Sequence, residues 1–243
     1  INYKTISNLH NVKEFEPDII VVSNSTYKHF GTINFIEKNF KKKIILVEKP
    51  VFNKFIKIDI KKLKNHYFVG YQLRFHPIIN ELKRLIKNQK VLNVNIICNS
   101  FLPSWRKKNY KNSYSSFKHK GGGVLLDLSH ELDYLQWIFP NLKFDYFFEK
   151  KISNLKIKSD DIAIINGSGK NKMKFQINLN YFSRIPRRLI MVDTDKFSFI
   201  GDLVNNVYSI AYDKKKISKK FKKYTQNYLT FLMYKSIFNK KLK

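Results

Sequence analysis

Four polar side chains follow a run of three glycines at a spacing that fits one face of a helix. The glycines occupy positions 121–123, and apolar periodicity predicts a helix over 124–139. The polar residues are Asp127, His130, Glu131 and Tyr134. Because positions three, four and seven apart share a helical face, a carboxylate and an imidazole are expected together near the helix N-terminus. Such a pair suits proton transfer, and the free amides at that end favour anions. A simpler interpretation is that Asp127 only stabilises the first turn and the glycines only form a loop.

A second candidate group is the tripeptide Glu48-Lys49-Pro50, which directly follows an apolar run typical of a buried strand. Pro50 restricts Lys49 to extended backbone and so fixes where its ammonium points. In open parallel sheets, ligands bind at the carboxyl ends of the strands. A lysine there is placed to polarise a substrate oxygen or to hold a cofactor ribose. Because lysine is frequent in this chain, a solvated surface lysine is the simpler alternative.

The elements that must position these groups change in character along the chain. In the first third, apolar runs at 18–23, 43–47 and 67–71 alternate with helical patterns, including one over 53–64. Strands that alternate with helices predict βαβ units and a parallel sheet. A helix is predicted over 74–89 and a strand over 91–101. Beyond residue 140, few helices separate the predicted strands at 144–150, 162–167, 174–182, 189–192 and 197–200, which indicates an antiparallel sheet before a last helix over 224–239.

Composition limits the class of protein. The 243 residues include 43% hydrophobic and 15% aromatic side chains, so a packed core is expected and intrinsic disorder is excluded. The length predicts one or two domains. The single cysteine, Cys98, excludes an intrachain disulfide framework and a cysteine-rich zinc site, and it favours a reducing, cytoplasmic location. No apolar run approaches the ~18 residues of a membrane span.

The net charge of +29, from 47 Lys plus Arg against 18 Asp plus Glu, invites a nucleic-acid interpretation. The lysines are scattered from end to end, however, and this distribution is typical of a solvated surface rather than of a binding stripe. A basic nucleic-acid-associated module remains an alternative, and it predicts oligonucleotide binding that depends steeply on salt. The main interpretation includes no specific nucleic acid and no membrane as a partner.

Taken in this order, the motifs resemble the Gfo/Idh/MocA family of nicotinamide-dependent sugar oxidoreductases. The strand 18–22 with the turn 23–29 resembles the strand and cofactor-flanking turn of that family, and Glu48-Lys49-Pro50 resembles its characteristic tripeptide. The segment 70–77 resembles its strand-to-helix junction, although asparagine is commoner at the position of Gln72. Trp105, Arg106 and Tyr114 precede the glycines as they do in the family. The glycine-led helix is the most specific segment, with Asp127 and His130 three residues apart where four is usual.

The resemblance implies an incomplete Rossmann-type parallel sheet in a partial dinucleotide-binding domain, 1–72. An α+β domain with a mostly antiparallel sheet, 73–243, would bind substrate and form a homo-oligomer. It implies NAD or NADP as cofactor and a sugar or nucleotide-sugar as substrate, in carbohydrate or surface-glycan metabolism. The catalytic residues that it implies are Lys49, Asp127 and His130. The implied cofactor-binding residues are Ser23, Asn24, Ser25, His29, Glu48, Lys49, Pro50, Trp105 and Arg106. The implied substrate-binding residues are Arg74, Tyr114 and His130.

The sequence departs from the family pattern at its beginning. No G-x-G-x-x-G turn occurs, and the acidic residue expected about 20 positions beyond that turn is missing too. The chain is therefore expected to enter the fold after the opening βαβ unit, and to bind a nicotinamide cofactor poorly. The strands near Ile20 and Ile45 are expected to lack a neighbour and to expose an apolar edge. A catalytically inactive fragment is the remaining alternative.

Overall fold

The computed structural model describes residues 8–106, 109–222 and 224–241. The chain forms two compact units, Ile1–Gly70 and Tyr71–Lys243. The division falls after Gly70, whereas the sequence pattern places it after Gln72. Within the described ranges, no helix combines the length and the apolar character that crossing a bilayer requires.

The first unit is a three-stranded parallel sheet with one packed helix. Its elements are β1 (Ile19–Val22), α1 (His29–Asn39), β2 (Ile44–Val47) and β3 (His66–Val69). The sheet order is β1-β2-β3, so β2 is central and all four of its residues are buried. The expectation that the strand near Ile45 lacks a neighbour is therefore wrong, because β3 supplies the second pairing partner. Among the described strands, β1 and β3 are the edges of this sheet, and Val21 on β1 is 44% exposed.

A polar network ties the end of α1 to β3. The Glu37 carboxylate accepts hydrogen bonds from the Lys64 amide at 2.8 Å, from Asn65 Nδ2 at 2.8 Å and from the Tyr67 hydroxyl at 2.9 Å. Burial raises the pKa of Glu37, but these hydrogen bonds outweigh it and leave the pKa lowered. The buried Asn65 also donates to the carbonyl of Phe40. The polar groups buried between α1 and β3 therefore have hydrogen-bond partners.

The helix predicted over 53–64 is not formed. That segment is irregular except for a single 3-10 turn, Ile60–Lys62, which Asp59 caps through the Lys61 amide. Its isoleucines alternate with polar residues at a period of two, which does not produce one buried helical stripe. Phe55 is accordingly 93% exposed.

The second unit is built on an eight-stranded sheet. Its helices are α2 (Pro77–Leu85), α3 (Leu102–Trp105), α4 (Val124–Asp127), α5 (His130–Ile138) and α6 (Gln226–Lys241). Its strands are β4 (Val91–Phe101), β5 (Lys143–Lys150), β6 (Ile162–Ser168), β7 (Lys174–Asn180), β8 (Phe182–Thr194), β9 (Ser198–Asp202), β10 (Val207–Tyr212) and β11 (Lys215–Lys220). The strand order is β11-β10-β9-β8-β4-β7-β6-β5, and every pairing is antiparallel except β4 with β7. The predicted α/β fold class, a parallel sheet followed by a mostly antiparallel one, is confirmed.

Several predicted boundaries in this unit differ from the structure. The strand predicted over 174–182 ends at Asn180, and β8 runs without a break through the separately predicted strand at 189–192. The hairpin of β10 and β11 was not expected, because every residue of β11 is exposed and four of its six residues are lysines. The helix predicted over 74–89 is shorter, since Gln72–Phe75 forms a 3-10 turn before α2.

His76 caps α2 from a buried position. Its Nδ1 accepts the Ile78 amide at 3.3 Å, and the side chain is only 3% exposed. Burial, together with the positive charge of Arg188, lowers the pKa of His76 from 6.5 to about 4. The imidazole is therefore neutral in the folded protein across the range in which an unfolded histidine becomes protonated.

Replacing His76 with Asn is expected to remove a pH-dependent loss of stability. Between pH 6.5 and 4 the unfolded chain binds a proton that folded His76 does not, so the His76 contribution to the free energy of unfolding falls as the pH falls. The two pKa values, 6.5 and about 4, correspond to a loss of about 3 kcal/mol by pH 4. Asn keeps an N-cap acceptor but does not titrate. Chemical denaturation of both proteins over this pH range measures the difference.

The native protein must be compared with the H76N variant because Glu149 changes the free energy of unfolding with pH in the opposite direction. Burial and the neighbouring Asp160 raise the pKa of Glu149 from 4.5 to about 7. Its stabilising contribution is full below pH 4.5 and is lost as the pH rises through 7. The pH curve of the native protein alone can therefore be flat. A native protein and an H76N variant with parallel curves would contradict the assignment to His76.

Candidate functional site

The glycine-led segment forms two short helices rather than one. Helix α4 ends at Asp127, Leu128 leaves helical geometry at φ −99° and ψ 29°, and α5 begins at His130. The prediction of one continuous helix over 124–139 is thus wrong. Because the helix is broken between Asp127 and His130, these two residues do not share one face of a single helix. Both side chains are nevertheless buried, with 4% and 5% of their surface exposed.

The glycines before α4 are required by close packing. A Cβ on Gly122 would collide with the carbonyl oxygens of Tyr114 and Ser115. Gly123 has a φ of +107°, and a Cβ there would lie against a carboxylate oxygen of Asp160. The run therefore lets the segment before it and the loop at Asp160 approach the start of α4, which is a steric role.

Asp127 is the centre of a buried hydrogen-bond network. The Tyr114 hydroxyl donates to Oδ1 at 2.5 Å, and the Tyr181 hydroxyl donates to Oδ2 at 2.7 Å. The Arg106 guanidinium lies 3.8 Å from Oδ1. Burial, and next the negative charge of Asp127, raise the pKa of both tyrosines. The hydroxyls thus stay protonated and hold the carboxylate in one orientation.

Aromatic rings fix the arginine of this network. The Arg106 guanidinium carbon lies 4.6 Å from the ring centre of Tyr114 and 5.2 Å from that of Trp105. Trp105 in turn makes an edge contact with Tyr181, with ring centres 5.7 Å apart. Four residues named from the sequence, Trp105, Arg106, Tyr114 and Asp127, are therefore brought together here. Tyr181 was missed, since it lies 54 residues beyond Asp127 and no local spacing connects the two.

His130 begins α5 beside a second tyrosine that the sequence did not indicate. Its ring meets the ring of Tyr71 edge-on, with centres 5.4 Å apart. The Tyr71 hydroxyl donates to the Ser129 hydroxyl at 3.5 Å. Burial raises the pKa of Tyr71, so its hydroxyl remains a donor at neutral pH. The contacts of Tyr71 with His130 and with Ser129 thus fix the start of α5.

Arg74, named from the sequence as a substrate-binding residue, is engaged by Asp133. Its Nε and Nη2 donate to the two carboxylate oxygens at 2.8 and 2.5 Å. Its guanidinium also lies 5.7 Å from the ring centre of Trp137, which Lys83 covers at 3.4 Å. Since the side chain is 41% exposed, part of the guanidinium remains accessible to solvent.

The candidate residues of the first unit gather at one edge of its sheet. The turn Ser23–Asn24–Ser25 follows β1, and Glu48, Lys49 and Pro50 follow β2. The two strands are parallel, and Val22 pairs with Val47, so both segments leave the sheet at the same carboxyl edge. The Glu48 carboxylate lies over Gly70 so closely that a Cβ there would be 3.0 Å from Oε2.

His29 connects these two segments. Its Nε2 lies 2.9 Å from the carbonyl oxygen of Asn24, and its Nδ1 lies 3.0 Å from that of Val51. The ring is 1% exposed. Both ring nitrogens thus face backbone carbonyls, which leaves the ring to position the two segments. The described residues contain no cluster of three or more His, Cys, Asp or Glu side chains that could hold a metal ion.

Replacing Tyr181 with Phe is expected to lower the free energy of unfolding of the second unit by about 1–3 kcal/mol, because the buried Asp127 carboxylate loses a donor. The same hydroxyl lies 3.0 Å from the carbonyl oxygen of Gly123, which loses that contact too. Tyr228→Phe is the matched control, since Tyr228 is 45% exposed and its change should stay within about 0.5 kcal/mol. Equal denaturation midpoints for the two variants would contradict a network that depends on Tyr181.

Comparison with known proteins identifies the relatives of this fold. Residues 83–185 match the family described as "Oxidoreductase family, C-terminal alpha/beta domain" of the Gfo/Idh/MocA proteins. No curated protein matches the sequence. Among solved structures, a putative NADPH-dependent oxidoreductase from Desulfitobacterium hafniense is similar at a TM-score of 0.77 and 14% identity, over 96% of this chain and 72% of its own.

Two further structures have names that describe their ligands or substrates. UDP-N-acetylglucosamine 3-dehydrogenase from Acidithiobacillus ferrooxidans is similar at a TM-score of 0.71 and 14% identity, over 96% of this chain and 72% of its own. An inositol dehydrogenase homologue from Azotobacter vinelandii, complexed with NAD+, is similar at 0.70 and 13% identity, over 87% of this chain and 60% of its own. At these identities the likeness shows the fold alone. The family resemblance indicated by the sequence motifs is confirmed over residues 83–185, which match the model of the C-terminal alpha/beta domain of the Gfo/Idh/MocA oxidoreductases.

Proposed function

We propose that the protein is a nicotinamide-dependent oxidoreductase that transfers a hydride to or from a sugar or nucleotide-sugar, in carbohydrate or surface-glycan metabolism. The observation that carries this proposal is the buried Asp127 carboxylate, held by two tyrosine hydroxyls and Arg106, three residues before the buried His130. A buried hydrogen-bond network of this kind holds acid–base side chains in a fixed orientation. The family match over residues 83–185 supports it.

Each proposed catalytic residue has a distinct role. His130 accepts the proton of the reacting hydroxyl in oxidation and returns it in reduction. Lys49 donates a hydrogen bond to the reacting oxygen and stabilises its developing negative charge. Asp127 offsets positive charge and orients its neighbours through the hydroxyls of Tyr114 and Tyr181. Tyr114 and Arg74 are proposed to contact the substrate.

The residues present fit part of a nicotinamide cofactor. Polar groups of Ser23, Asn24, Ser25, Glu48 and Lys49 lie at the carboxyl edge of a parallel sheet, where dinucleotides bind in such folds. The sequence has no G-x-G-x-x-G turn to hold the pyrophosphate, so weak binding is expected. When bound, the nicotinamide accepts or donates the hydride at its C4. NAD and NADP are both compatible with these residues.

His29 is proposed to act through these segments rather than by touching the cofactor. Its two ring nitrogens already contact the carbonyls of Asn24 and Val51, one in each cofactor-flanking segment. Trp105 and Arg106 were named as cofactor-binding residues, and they remain proposed in that role. A homo-oligomer formed through the β domain, in the cytoplasm, completes the proposal, and the half-exposed Phe144, Tyr146 and Phe147 on the edge strand β5 support an association surface.

The experiment that tests the function is a substrate survey with the purified protein. Free sugars and UDP-linked sugars are incubated with millimolar NAD or NADP, so that weak cofactor binding does not limit the rate, and reduced nicotinamide is followed by its absorbance. Turnover with at least one sugar class is expected. Cofactor reduction that no sugar stimulates above background would contradict the proposed function.

A separate titration tests the cofactor part of the proposal. Weak binding of NAD is expected, because no glycine-rich turn supplies amides to the pyrophosphate. An NAD affinity in the micromolar range, measured by calorimetry, would contradict the assignment of weak binding.

A further inference from the structure

A cavity of about 610 Å³ lies in the second unit. Its first wall is formed by Lys111, Asn112 and Phe117, and its second wall by Lys151 and residues 153–158. Tyr114, which is proposed to contact the substrate, belongs to the first segment but does not line the cavity. Three hydrogen bonds join these walls and their flanks. The Lys158 amide donates to the Ser116 carbonyl at 2.8 Å, the Lys156 amide donates to the Tyr110 hydroxyl at 3.2 Å, and the Ser159 hydroxyl donates to the Ser115 carbonyl at 2.7 Å. One backbone contact and two contacts of side-chain hydroxyls with the backbone therefore hold the two walls together.

The rim of this cavity is positively charged. It is lined by the lysines Lys111, Lys151, Lys156 and Lys158, and no carboxylate is among the described residues that line it. None of the four lysines forms an ion pair with a described carboxylate; the nearby acidic residues Glu149 and Asp160 are paired with Lys118 instead. Four ammonium groups around one concave surface concentrate anions there. We call this feature the lysine cavity.

The floor of the lysine cavity is apolar. Phe117, Leu155 and Ile157 line it, and the two aliphatic side chains are 9% and 7% exposed. A volume of this size falls within the range of small-molecule sites. A charged rim above an apolar, partly aromatic floor matches a ligand that has an anionic end and a flat apolar end.

Four ammonium groups around one cavity favour an anion that carries several charged oxygens. A lysine ammonium binds phosphate oxygens as a compact point charge, and a diphosphate offers several such oxygens to the four lysines. No arginine lines the cavity among the described residues. We propose that the lysine cavity binds a nucleoside diphosphate, with its phosphates among the four lysines and its base against Phe117. This site is independent of the proposed reaction, since none of Lys49, Asp127 and His130 lines it.

The test is calorimetric titration of the full chain with ADP, pyrophosphate and adenosine at about 0.15 M salt, where exposed long-range attraction is screened. The test variant, Lys111→Gln with Lys158→Gln, removes one charge from each wall. The control, Lys214→Gln with Lys216→Gln, removes the same charge from the exposed β10–β11 hairpin. Phe117→Leu removes the ring.

Saturable ADP binding is expected, tighter than that of pyrophosphate or adenosine. The wall variant should weaken ADP binding by about tenfold, as two partly exposed charge contacts predict, and the hairpin variant by less than about twofold. Phe117→Leu should weaken ADP binding more than pyrophosphate binding. Equal losses in the wall and hairpin variants would show general attraction to a basic protein and overturn the proposal. Equal affinity for ADP and pyrophosphate would overturn the assignment of a nucleoside.

Discussion

Replacing His130 with Ala is expected to lower the rate of hydride transfer by about 10²–10⁴-fold, the usual contribution of an acid–base group. In the proposed reaction the hydroxyl of the sugar must lose its proton as the hydride leaves, and His130 is the residue proposed to take it. The ring is buried, lies against Tyr71 and begins α5, so its position is set by the fold. The rate is measured in a single turnover at saturating cofactor.

The control for this prediction is another histidine of the chain. His66 is exposed on the edge strand β3 and has no part in the proposed reaction, so His66→Ala should leave the rate unchanged. The His130 variant must also retain the denaturation midpoint of a folded protein. A folded H130A protein that reacts at the native rate would remove His130 from the mechanism.

Replacing Glu131 with Ala is expected to lower the free energy of unfolding of the second unit by about 3–5 kcal/mol, because it leaves the guanidinium of Arg188, three quarters buried, without its partner. Arg188 Nε and Nη2 donate to the two carboxylate oxygens of Glu131 at 2.7 and 3.0 Å. The Glu131 side chain is fully buried. This pair joins α5 to β8 and so fixes the helix that carries His130.

Two further variants separate the loss of the pair from the loss of packing. The double variant Glu131→Leu with Arg188→Met fills the same space without charge and should recover much of the stability lost in E131A, since a hydrophobic replacement is often neutral. Arg84→Ala is the control: Arg84 is 68% exposed in its pair with Glu81, so this change should cost less than about 1 kcal/mol. Urea denaturation measures all three variants, and an E131A loss no greater than that of R84A would contradict a structural role for the pair of Glu131 and Arg188.

Local patterns were sufficient for the elements that bury a continuous apolar run. Strands β1 and β2 are short β-branched runs, and both were expected from the sequence. Strand β11 could not be predicted, because its residues, Lys215–Lys220, are all exposed and mostly lysines, so no buried apolar side marks the strand. In the segment 53–64 the opposite error occurred. Its isoleucines suggested a helix, but the segment is irregular and they do not form one buried helical stripe.

Some residues of the candidate site could be named from the sequence and others could not. Asp127 was named from its spacing after the glycines, and Arg106 and Tyr114 were named because the stretch before the glycines resembles that of the family. Tyr181 and Arg188 were not assigned their roles, because each meets its partner across more than 50 residues of intervening chain. The break at Leu128 was also missed, since leucine is a good helix former and carries no local stop signal.

The most direct test of the central claim, that hydrogen moves from a sugar carbon to nicotinamide with His130 taking the proton, is a deuterium-transfer measurement. A sugar or UDP-sugar found active in the substrate survey is labelled at its reacting carbon and incubated with the protein and oxidised cofactor, and the reduced cofactor is analysed by mass spectrometry. The account predicts deuterium in the reduced nicotinamide, formed far more slowly by the H130A protein. Reduced cofactor without deuterium, or with deuterium at the same rate in both proteins, would contradict it.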